Sequence, residues 1–346
     1  MDLRHRSSGV TTVALFEGED SSPEAVRPVI GLLDSLELGL EWVRPDPRNA
    51  IAAIDAADCA FFGATSGASA AALFYLRWGC STYANVRPVR FIEGARSPMA
   101  RPAGIDFVIV RENLEDLYVA AEGSLADLTE PAPRSRTMGR PVTELGPGRF
   151  AIKAITEAGC ERVIRYAFEL ARRRERKHLT VSAKFNMLPQ TDGLFVEIGR
   201  SIATEYTDVE CEILIVDDLA HRLVVDPHRF DVIVLPNLYG DILSDLAAGL
   251  VGGLGLAPSG CYGDAYAYFE PAHGTAPDLA GTGRINPTAT LLSACMMLEH
   301  LGMDDVAGRV AAAIERVYAR GVDLTPDQGG SGSAASMCAA VRAHLV

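Results

Sequence analysis

The chain has 346 residues, with 32 lysines and arginines against 45 acidic residues and a formal net charge of −13. At 48% hydrophobic and 22% charged residues, it can bury the core of one large or two ordinary domains and does not read as disordered. The negative charge argues against a general nucleic-acid or membrane-surface binder, because phosphate groups would be repelled. No apolar run approaches the roughly 20 residues that span a bilayer.

Strand-like and helix-like segments alternate along the chain. Strands are predicted at 11–16, 59–62, 106–110, 179–183, 212–216 and 231–235, and helices at 23–36, 70–78, 157–174 and 304–319. The alternation predicts an α/β fold with a substantial parallel sheet. The segment Pro131 to Arg149 is rich in Pro, Arg, Gly and Thr, and its composition alone favours an exposed loop over an arm that reaches another subunit.

Seven cysteines are scattered through the sequence without a CxxC motif. This spacing favours reduced, structural thiols over a disulfide framework or a zinc site. We therefore predict a cytoplasmic location.

The segment NLYGDILSD at residues 237–245 is the strongest local signal for chemistry. Asp241 and Asp245 stand four residues apart, so on a helix both carboxylates project from one face. Such a pair suits a divalent cation, but acids in an early helix turn also suit the helix dipole, and the residues alone favour neither. Asp217 follows a strand pattern, a position where open α/β sheets often place a ligand.

Three arginines and two proton-transfer candidates stand out in this acidic chain. Arg77, Arg87 and Arg111 suit a small polycarboxylate, because a guanidinium binds a carboxylate through two parallel hydrogen bonds. Each arginine alone is also typical of a surface ion pair. Lys184 follows a strand and Tyr118 lies seven residues after Arg111, so both are candidates for acid–base work, with a solvated position as the plainer alternative.

A segment rich in Gly, Pro and small residues, EPAHGTAPDLAG at 270–281, permits close backbone approach to a ligand. His273 is able to stack on or hydrogen-bond a base, and Asp278 is able to accept from a ribose diol. Asp327 lies in another Gly-rich loop, for which a simple turn is the alternative. No GxGxxG follows a strand, so an ordinary Rossmann site is not supported.

In this order the segments resemble the β-decarboxylating hydroxyacid dehydrogenases, which include isopropylmalate, isocitrate, homoisocitrate and malate/tartrate dehydrogenases. The motifs run from about Phe62 to Gly330 and include YLRWGCSTYANVRPVR, VIVRENLEDLY, IVDDLAHRLV, NLYGDILSDLAAGLVGGLGLAPSG and EPAHGTAPDLAGTGRINPTA. The resemblance implies that family's two-domain α/β fold, with a large mixed, largely parallel sheet. It implies an NAD-binding domain at 1–83 plus 255–346, and a substrate, metal and dimerisation domain at 84–254 with an arm near 131–149.

The resemblance also implies a role for each candidate. Arg77, Arg87 and Arg111 look like the residues that hold the malate carboxylates. Tyr118 looks like the acid that protonates carbon 3 after CO₂ leaves, and Lys184 like the residue that helps to deprotonate the 2-hydroxyl.

Asp217, Asp241 and Asp245 look like ligands of Mg²⁺ or Mn²⁺. In the family, the lysine and the Asp217-type acid come from the partner subunit, so a homodimer with shared active sites is implied. The cofactor contacts carried over are His273, Gly274, Ala276, Asp278, Leu279, Asn286 and Asp327. A carboxylate at Asp278 should accept from a free 2′-hydroxyl and repel a 2′-phosphate, so NAD is predicted.

Substrate choice is read on the helix that carries Arg77. Leu73 and Phe74 stand where isocitrate-type and homoisocitrate-type relatives carry polar or basic groups, and an apolar pocket rejects a buried carboxylate. We therefore expect oxidative decarboxylation of a 3-substituted (R)-malate, with a 3-isopropylmalate-like substrate favoured. D-malate or tartrate is the alternative if Phe74 fills the pocket. The sequences of the motifs YANVRP and GLVGGLGLAPSG are most similar to the homoisocitrate-type branch. An unusual malate of a specialised pathway is a further alternative.

Two segments depart from the family pattern. The N-terminal loop, usually GDGIGPE, reads GEDSSPE at 18–24, with Asp20 and Ser22 in place of glycines, and the stretch at 65–72 is several residues shorter. These departures motivate a second class of hypothesis, a non-catalytic regulatory subunit on the same fold. The retained arginines, aspartates, Tyr118 and Lys184 favour the enzyme.

Overall fold

The computed structural model of the protein describes residues 10–46, 48–129 and 132–345. The strands are β1 (Thr11–Phe16), β2 (Leu40–Val43), β3 (Cys59–Phe62), β4 (Ala84–Arg90), β5 (Asp106–Glu112), β6 (Glu122–Ser124), β7 (Arg149–Ala151), β8 (His178–Ala183), β9 (Glu210–Ile215), β10 (Val232–Leu235), β11 (Pro258–Tyr262) and β12 (Ala267–Pro271). The α-helices are α1 (Ser22–Asp34), α2 (Ala50–Ala56), α3 (Ala70–Phe74), α4 (Glu157–Arg173), α5 (Thr191–Ala203), α6 (Val216–Val225), α7 (Asn237–Val251), α8 (Thr288–His300), α9 (Asp304–Arg320) and α10 (Ala334–Ala343).

Ten of these strands form one sheet in the order β2-β1-β3-β12-β11-β4-β5-β10-β8-β9. The pairings of β11 with β12, of β11 with β4 and of β4 with β5 are antiparallel. The pairings toward both edges are parallel. The predicted α/β fold with a large mixed, largely parallel sheet is therefore confirmed.

The sheet has two halves that meet where β11 pairs with β4. One half is built from strands that precede residue 84 or follow residue 255, and the other from strands between them. The division into two domains at these positions remains a prediction, because one hydrogen-bonded sheet runs through both halves.

The sequence shows why the sheet is covered on both faces. All four side chains of β10 are buried, as expected of a central parallel strand that has helices on either side. Helix α4 begins where the Thr156 hydroxyl accepts a hydrogen bond from the Gly159 amide, a typical N-cap. Its buried face includes Val163, Ala167 and Ala171 at four-residue spacing, which packs against the core.

The helix predicted at 70–78 differs from the structure in one respect. Helix α3 ends at Phe74, and the chain continues as a π-helical turn over Tyr75–Gly79. The Cys80 amide donates to the Tyr75 carbonyl at 2.8 Å, which is the five-residue spacing of a π-turn. An added Cβ at Gly79 would lie 2.4 Å from the Tyr75 ring, so glycine allows the ring to cover this turn. The widened turn carries Arg77.

Residues 130 and 131, at the start of the predicted arm, lie outside the described residues. The part that is described contains the antiparallel ribbon of β6 and β7 and a 3₁₀ turn at Val142–Leu145. Met138 and Leu145 are about half exposed there. The intersubunit arm remains a prediction. Across the described ranges, no helix is long and apolar enough to cross a membrane.

Candidate active site

Two neighbouring strands bring two arginines to one face of the sheet. Asn85 of β4 lies directly opposite Arg111 of β5, and Arg87 follows two residues along, so the three side chains share a face. Arg87 Nε donates to Asn85 Oδ1 at 2.9 Å. The side chains of Arg87 and Arg111 are only 10% and 2% exposed. The pairing therefore places two buried cations side by side.

Helix α7 brings the acids to these arginines. An added Cβ at Gly240 would lie 2.7 Å from the Cβ and Cγ atoms of Arg111, so the glycine lets α7 pack closely on β5. Arg111 Nε donates to Asn237 Oδ1 at 2.9 Å, which ties the start of the helix to the end of the strand. The next turn of α7 carries Asp241.

Asp241 is the centre of the polar cluster. It accepts hydrogen bonds from Arg111 Nη1 and from the Tyr118 hydroxyl, and Arg87 Nη2 lies 3.5 Å away. Arg87 Nη1 donates to Asp245 Oδ1 at 3.1 Å. The structure thus brings two predicted arginines, the predicted tyrosine and two predicted acids into one cluster.

The charges in this cluster tune one another. Burial and the neighbouring Arg87 lower the pKa of Arg111 to about 10. Burial raises the pKa of the Asp245 carboxyl. Burial and the hydrogen bond to Asp241 raise the pKa of Tyr118, so its hydroxyl is protonated at neutral pH and has a proton to give.

Arg77 approaches the same region from the π-helical turn, near enough for its charge and that of Glu270 to influence each other. Glu270 has no role among the sequence-based predictions. Burial opposes the charge on Arg77, but Tyr268, Cys261 and Glu270 outweigh it, and the pKa of Arg77 lies above its usual value. Its Nε atom is buried without a hydrogen-bond partner in the described chain. Burial raises the pKa of Glu270, while Arg77 and the other two arginines lower it. Glu270 is the first residue of the motif at 270–281. Its place in that motif was the sequence signal that could have identified it as a site residue.

Lys184 and Asp217 lie apart from this cluster. Lys184 Nζ donates to Asp217 Oδ1 at 2.6 Å, and this contact lowers the pKa of Asp217. The two side chains are 28% and 67% exposed. Across residues 10–46, 48–129 and 132–345, no hydrogen bond or ion pair joins either of them to Asp241, Asp245 or the arginines. One chain therefore presents the predicted site as two separate groups.

The donor chemistry fits a divalent cation in part. Asp241 and Asp245 offer carboxylate oxygens, the ligands that Mg²⁺ and Mn²⁺ prefer. In the portion of the chain that the structure describes, no three His, Cys, Asp or Glu side chains converge as a metal site. A complete set would need Asp217 from a second copy of the chain, so the metal site remains a prediction.

The predicted substrate-pocket residues lie on α3, just before the π-helical turn. Phe74 is 58% exposed and its ring lies 5.2 Å from the Trp78 ring. Leu73 is partly buried against the cluster that contains Phe62 and Leu76. The turn thus presents an apolar surface ahead of Arg77.

The predicted cofactor segment forms a loop after β12. Ala276 has a left-handed backbone with φ 45°, next to the exposed Gly274. His273 Nδ1 lies 2.8 Å from the Gly274 carbonyl, while its Nε2 is buried and has no partner among the described residues. Burial lowers the pKa of His273, so the ring is neutral at pH 7. A neutral ring with an unpaired Nε2 fits a ligand such as the adenine of NAD.

The remaining cofactor candidates fall into two groups. Asp278 is exposed and Leu279 partly exposed, in a 3₁₀ turn at Pro277–Leu279. Asn286 Nδ2 donates to Asp327 Oδ2 at 2.9 Å, which joins two segments that are distant in sequence. Cofactor contacts by these residues remain predictions.

The unusual N-terminal loop keeps the backbone of a glycine-rich loop. Asp20 has a left-handed φ of 53°, a conformation that favours glycine. Ser22 is buried, and its hydroxyl accepts from the Ala64 amide at 2.9 Å. Ser21 donates its hydroxyl to the Thr275 carbonyl at 2.6 Å, which ties this loop to the predicted cofactor loop. The two replaced glycines are thus accommodated.

The carboxylate of Glu19 holds the shortened loop. It accepts from the hydroxyls of Thr65 and Ser69 at 2.6 Å and from the amides of Ser66, Gly67 and Ser69. Burial works against the charge, but these donors outweigh it and lower the pKa of Glu19 to about 2. The loop leads directly into α3.

Replacing Glu19 with glutamine should lower Tm at pH 7 by about 2 °C, because an amide cannot accept from all these donors. The lowered pKa makes the stabilisation complete above about pH 4.5 and progressively lost toward pH 2. Thermal melts of both proteins from pH 7 to pH 3 should converge as the pH falls. A Tm difference that grows toward low pH would contradict this role.

Comparison with known proteins decides the family. The sequence profile described as isocitrate/isopropylmalate dehydrogenase matches residues 40–342. The chain belongs to the isocitrate/isopropylmalate dehydrogenase family. This confirms the resemblance to the β-decarboxylating hydroxyacid dehydrogenases and the prediction of an enzyme of that class.

Relatives of this dehydrogenase cover nearly its whole length. It is 39% identical over 332 residues to the 3-isopropylmalate dehydrogenase of Archaeoglobus fulgidus, covering 92% of this chain and 94% of the relative. It is 40% identical over 348 residues to the isocitrate/homoisocitrate dehydrogenase of Thermus thermophilus, covering 95% and 97%. The crystal structure of isocitrate dehydrogenase from Methylococcus capsulatus superimposes with a TM-score of 0.82 at 34% identity, covering 97% of this chain and 99% of that one. These names differ in substrate, so similarity does not assign one here.

Proposed function

We propose that this dehydrogenase catalyses the NAD- and Mg²⁺- or Mn²⁺-dependent oxidative decarboxylation of a 3-alkylmalate such as 3-isopropylmalate. The observation that carries the proposal is the convergence of Arg87, Arg111 and Tyr118 on Asp241. Together with Arg77, the two arginines make three cationic groups, which would neutralise a dicarboxylate. The protonated phenol of Tyr118 lies beside them.

The side chains divide the chemistry between them. The arginines hold the two carboxylates of the malate, and Lys184 of a second copy accepts the proton of the 2-hydroxyl. Once carbon 2 has lost its hydride and become a carbonyl, the bond from carbon 3 to its carboxylate breaks. CO₂ leaves, and the electron pair remains on the substrate as an enolate. Tyr118 donates its hydroxyl proton to carbon 3, and the raised pKa of Tyr118 keeps that proton available.

A divalent cation and NAD would complete this arrangement. A cation held by Asp241, Asp245 and Asp217 of a second copy would supply Lewis acidity to the 2-hydroxyl and carboxylate oxygens. NAD would supply the acceptor for the hydride from carbon 2. The unpaired His273 Nε2 supports binding of the adenine base of NAD near this residue. The exposed Asp278 carboxylate supports NAD over NADP, because it would repel a 2′-phosphate.

The apolar surface of Leu73 and Phe74 supports the 3-alkylmalate. A γ-carboxylate placed against it would lose water without gaining a partner. Isocitrate or homoisocitrate is the second candidate, favoured by the similarity to the Thermus thermophilus enzyme. D-malate or tartrate, or an unusual malate, follows if Phe74 turns inward and fills the space.

Absorbance of NADH with the purified protein, Mn²⁺ and a panel of substrates tests the proposal. The panel is 3-isopropylmalate, D-malate, D-tartrate, isocitrate and homoisocitrate, each with NAD and with NADP. We expect the highest kcat/KM for 3-isopropylmalate with NAD, and no turnover after chelation of the metal. A preference for isocitrate or homoisocitrate would overturn the pocket interpretation. Tight binding without turnover of any malate would instead support a non-catalytic subunit.

We further propose a homodimer with shared active sites. Lys184 pairs with Asp217, and within the described ranges no hydrogen bond or ion pair joins either of them to Asp241, Asp245 or the arginines. Exposed apolar side chains follow Lys184 in the chain, end α6 and lie along α7. These side chains are Met187 (62% exposed), Leu188 (40%), Val225 (67%), Ile242 (57%) and Leu246 (36%). Large apolar side chains left exposed on these elements support self-association.

Complementation between two inactive variants tests whether the active sites are shared between subunits. A Tyr118→Phe subunit and a Lys184→Met subunit, co-expressed with different tags and isolated through both, contain one site with both residues intact. Each parent homodimer should be nearly inactive, while the hybrid should regain about half of the wild-type activity. A hybrid as inactive as its parents would show that each chain uses its own lysine.

The remaining sequence-based proposals concern location and division of the chain. All seven cysteines are free, which supports a reducing compartment and hence the cytoplasm. The arm near 131–149 and the division at 83/84 and 254/255 are proposed on the family resemblance, with the β11–β4 pairing as the place where the two halves meet.

A further inference from the structure

A buried charge cluster lies between the two separated groups of the site. The Nζ atom of Lys153 lies 2.5 Å from Asp192 Oδ1 and 3.4 Å from Asp116 Oδ1. The three side chains are 13%, 0% and 1% exposed. The Tyr239 ring covers the ammonium, with its centroid 4.5 Å from Nζ. This cluster takes no part in the chemistry described above.

Each carboxylate of the cluster holds backbone that carries a functional residue. Asp116 accepts from the Leu117 amide at 2.8 Å, where the turn with Tyr118 begins. Its other oxygen accepts from the Leu238 amide at 3.0 Å, in the first turn of α7. Asp192 accepts from the backbone amide of Lys184 at 2.8 Å.

Burying these charges costs free energy, which indicates that the cluster does more than stabilise the fold. Two carboxylates and one ammonium leave net negative charge in a buried place, and such clusters are often no more stable than apolar packing. Asp116 also adopts a left-handed backbone with φ 68°, which is unfavourable for a residue other than glycine. The early turns of α5 and α7 offset part of this cost, because amides at a helix start favour negative charge.

The choice of lysine is informative in this chain. Of its 32 basic residues only three are lysines, namely Lys153, Lys177 and Lys184. A compact ammonium fits between two carboxylates and under a ring, whereas a planar guanidinium would push them apart. The structure therefore has a specific use for a point charge at Lys153.

We propose that Lys153 is a positioning residue that fixes the Tyr118 turn and the start of α7 relative to the Lys184 segment. This inference rests on the proposed function, because Lys184 then serves the site of a second copy. The cluster thus connects Tyr118 and α7, which serve the chain's own site, to Lys184, which serves the site of the second copy. Shifts of about 1 Å at reacting groups cost roughly 100-fold in rate, so the tie acts on turnover.

Lys153→Met should lower kcat by about 10- to 100-fold while the KM for NAD stays unchanged, because the cofactor loop lies elsewhere. Lys153→Arg keeps the charge and should lose less. Lys177→Met is the matched control, since Lys177 is half exposed and lies 3.9 Å from Asp208, far from the cluster. Tm and dimer content of each variant separate a loss of folding from a loss of rate.

The hybrid of Tyr118→Phe and Lys184→Met subunits provides the deciding measurement. Lys153→Met is added either to the subunit that supplies Lys184 or to the subunit that supplies Tyr118. Each addition should lower hybrid activity per folded dimer by about 10-fold or more. Unchanged activity in both would overturn the inference while leaving the shared site intact. An inactive hybrid without Lys153→Met would instead overturn the shared site on which the inference rests.

Discussion

Replacing Lys184 with methionine should reduce NADH formation by about 10³-fold or more, because the side chain is proposed to accept the proton of the 2-hydroxyl. Methionine has a similar length but no proton-accepting group. The fall should appear in kcat, while the KM values for NAD and substrate change little, since the arginines that bind the substrate are untouched. Steady-state NADH absorbance with saturating Mn²⁺ measures both parameters.

The control for this prediction is Lys177→Met, which also removes a lysine. Lys177 is half exposed and lies beside Asp208. We expect wild-type kcat from this control. A Lys184→Met protein that retains more than about a tenth of the wild-type kcat would reject Lys184 as the general base.

Replacing Asp241 with asparagine should abolish measurable turnover and the stabilisation that Mn²⁺ gives. Asp241 accepts from Arg111 and from the Tyr118 hydroxyl and is a proposed metal ligand, so its loss affects three functions at once. An amide also leaves the buried Arg111 without its anionic partner, so Tm should fall as well. Activity, Tm with and without Mn²⁺, and titration of bound Mn²⁺ give three independent readouts.

Asp218→Asn is the matched control for Asp241→Asn. Asp218 neighbours Asp217 on α6 but accepts from Arg222 one turn away, at 2.8 Å. Removing this partly exposed ion pair should change stability by less than about 1 kcal/mol and leave turnover unchanged. If Asp241→Asn still shows Mn²⁺-dependent turnover comparable to this control, Asp241 is not a ligand.

Much of the fold was readable because the signals were local. The β10 run VIVL and the four-residue apolar spacing of α4 predict buried strand and core-facing helix without knowledge of their neighbours. The acids of α7 share a face by helix geometry alone. Their meeting with Arg87 and Arg111 was expected from the family resemblance, and the physical cause lies in the register of β4 against β5 and in the bare Cα of Gly240.

The parts that escaped prediction depend on distant contacts. Glu19 and the loop at 65–69 are nearly 50 residues apart, so nothing local shows that this acid holds that loop. Lys153 and Asp192 lie in none of the family motifs, and Asp116 lies inside VIVRENLEDLY without a predicted role. Each of the three alone is typical of a surface charge. The π-helical turn at Tyr75–Gly79 has an ordinary helical pattern, and only the packing of the Tyr75 ring over Gly79 explains it.

The joint between the two halves of the sheet lies directly beside the arginine cluster. Only three residue pairs join β11 to β4, against seven between β4 and β5. Asn85 sits in the middle pair, donates to Ser259 Oγ and Cys261 Sγ across the joint, and accepts from Arg87 Nε on the near side. A rotation of one half against the other would turn Asn85 and swing the Arg87 guanidinium with it. A change in the angle between the two halves would then be coupled, through Asn85, to the carboxylate that Arg87 is proposed to bind.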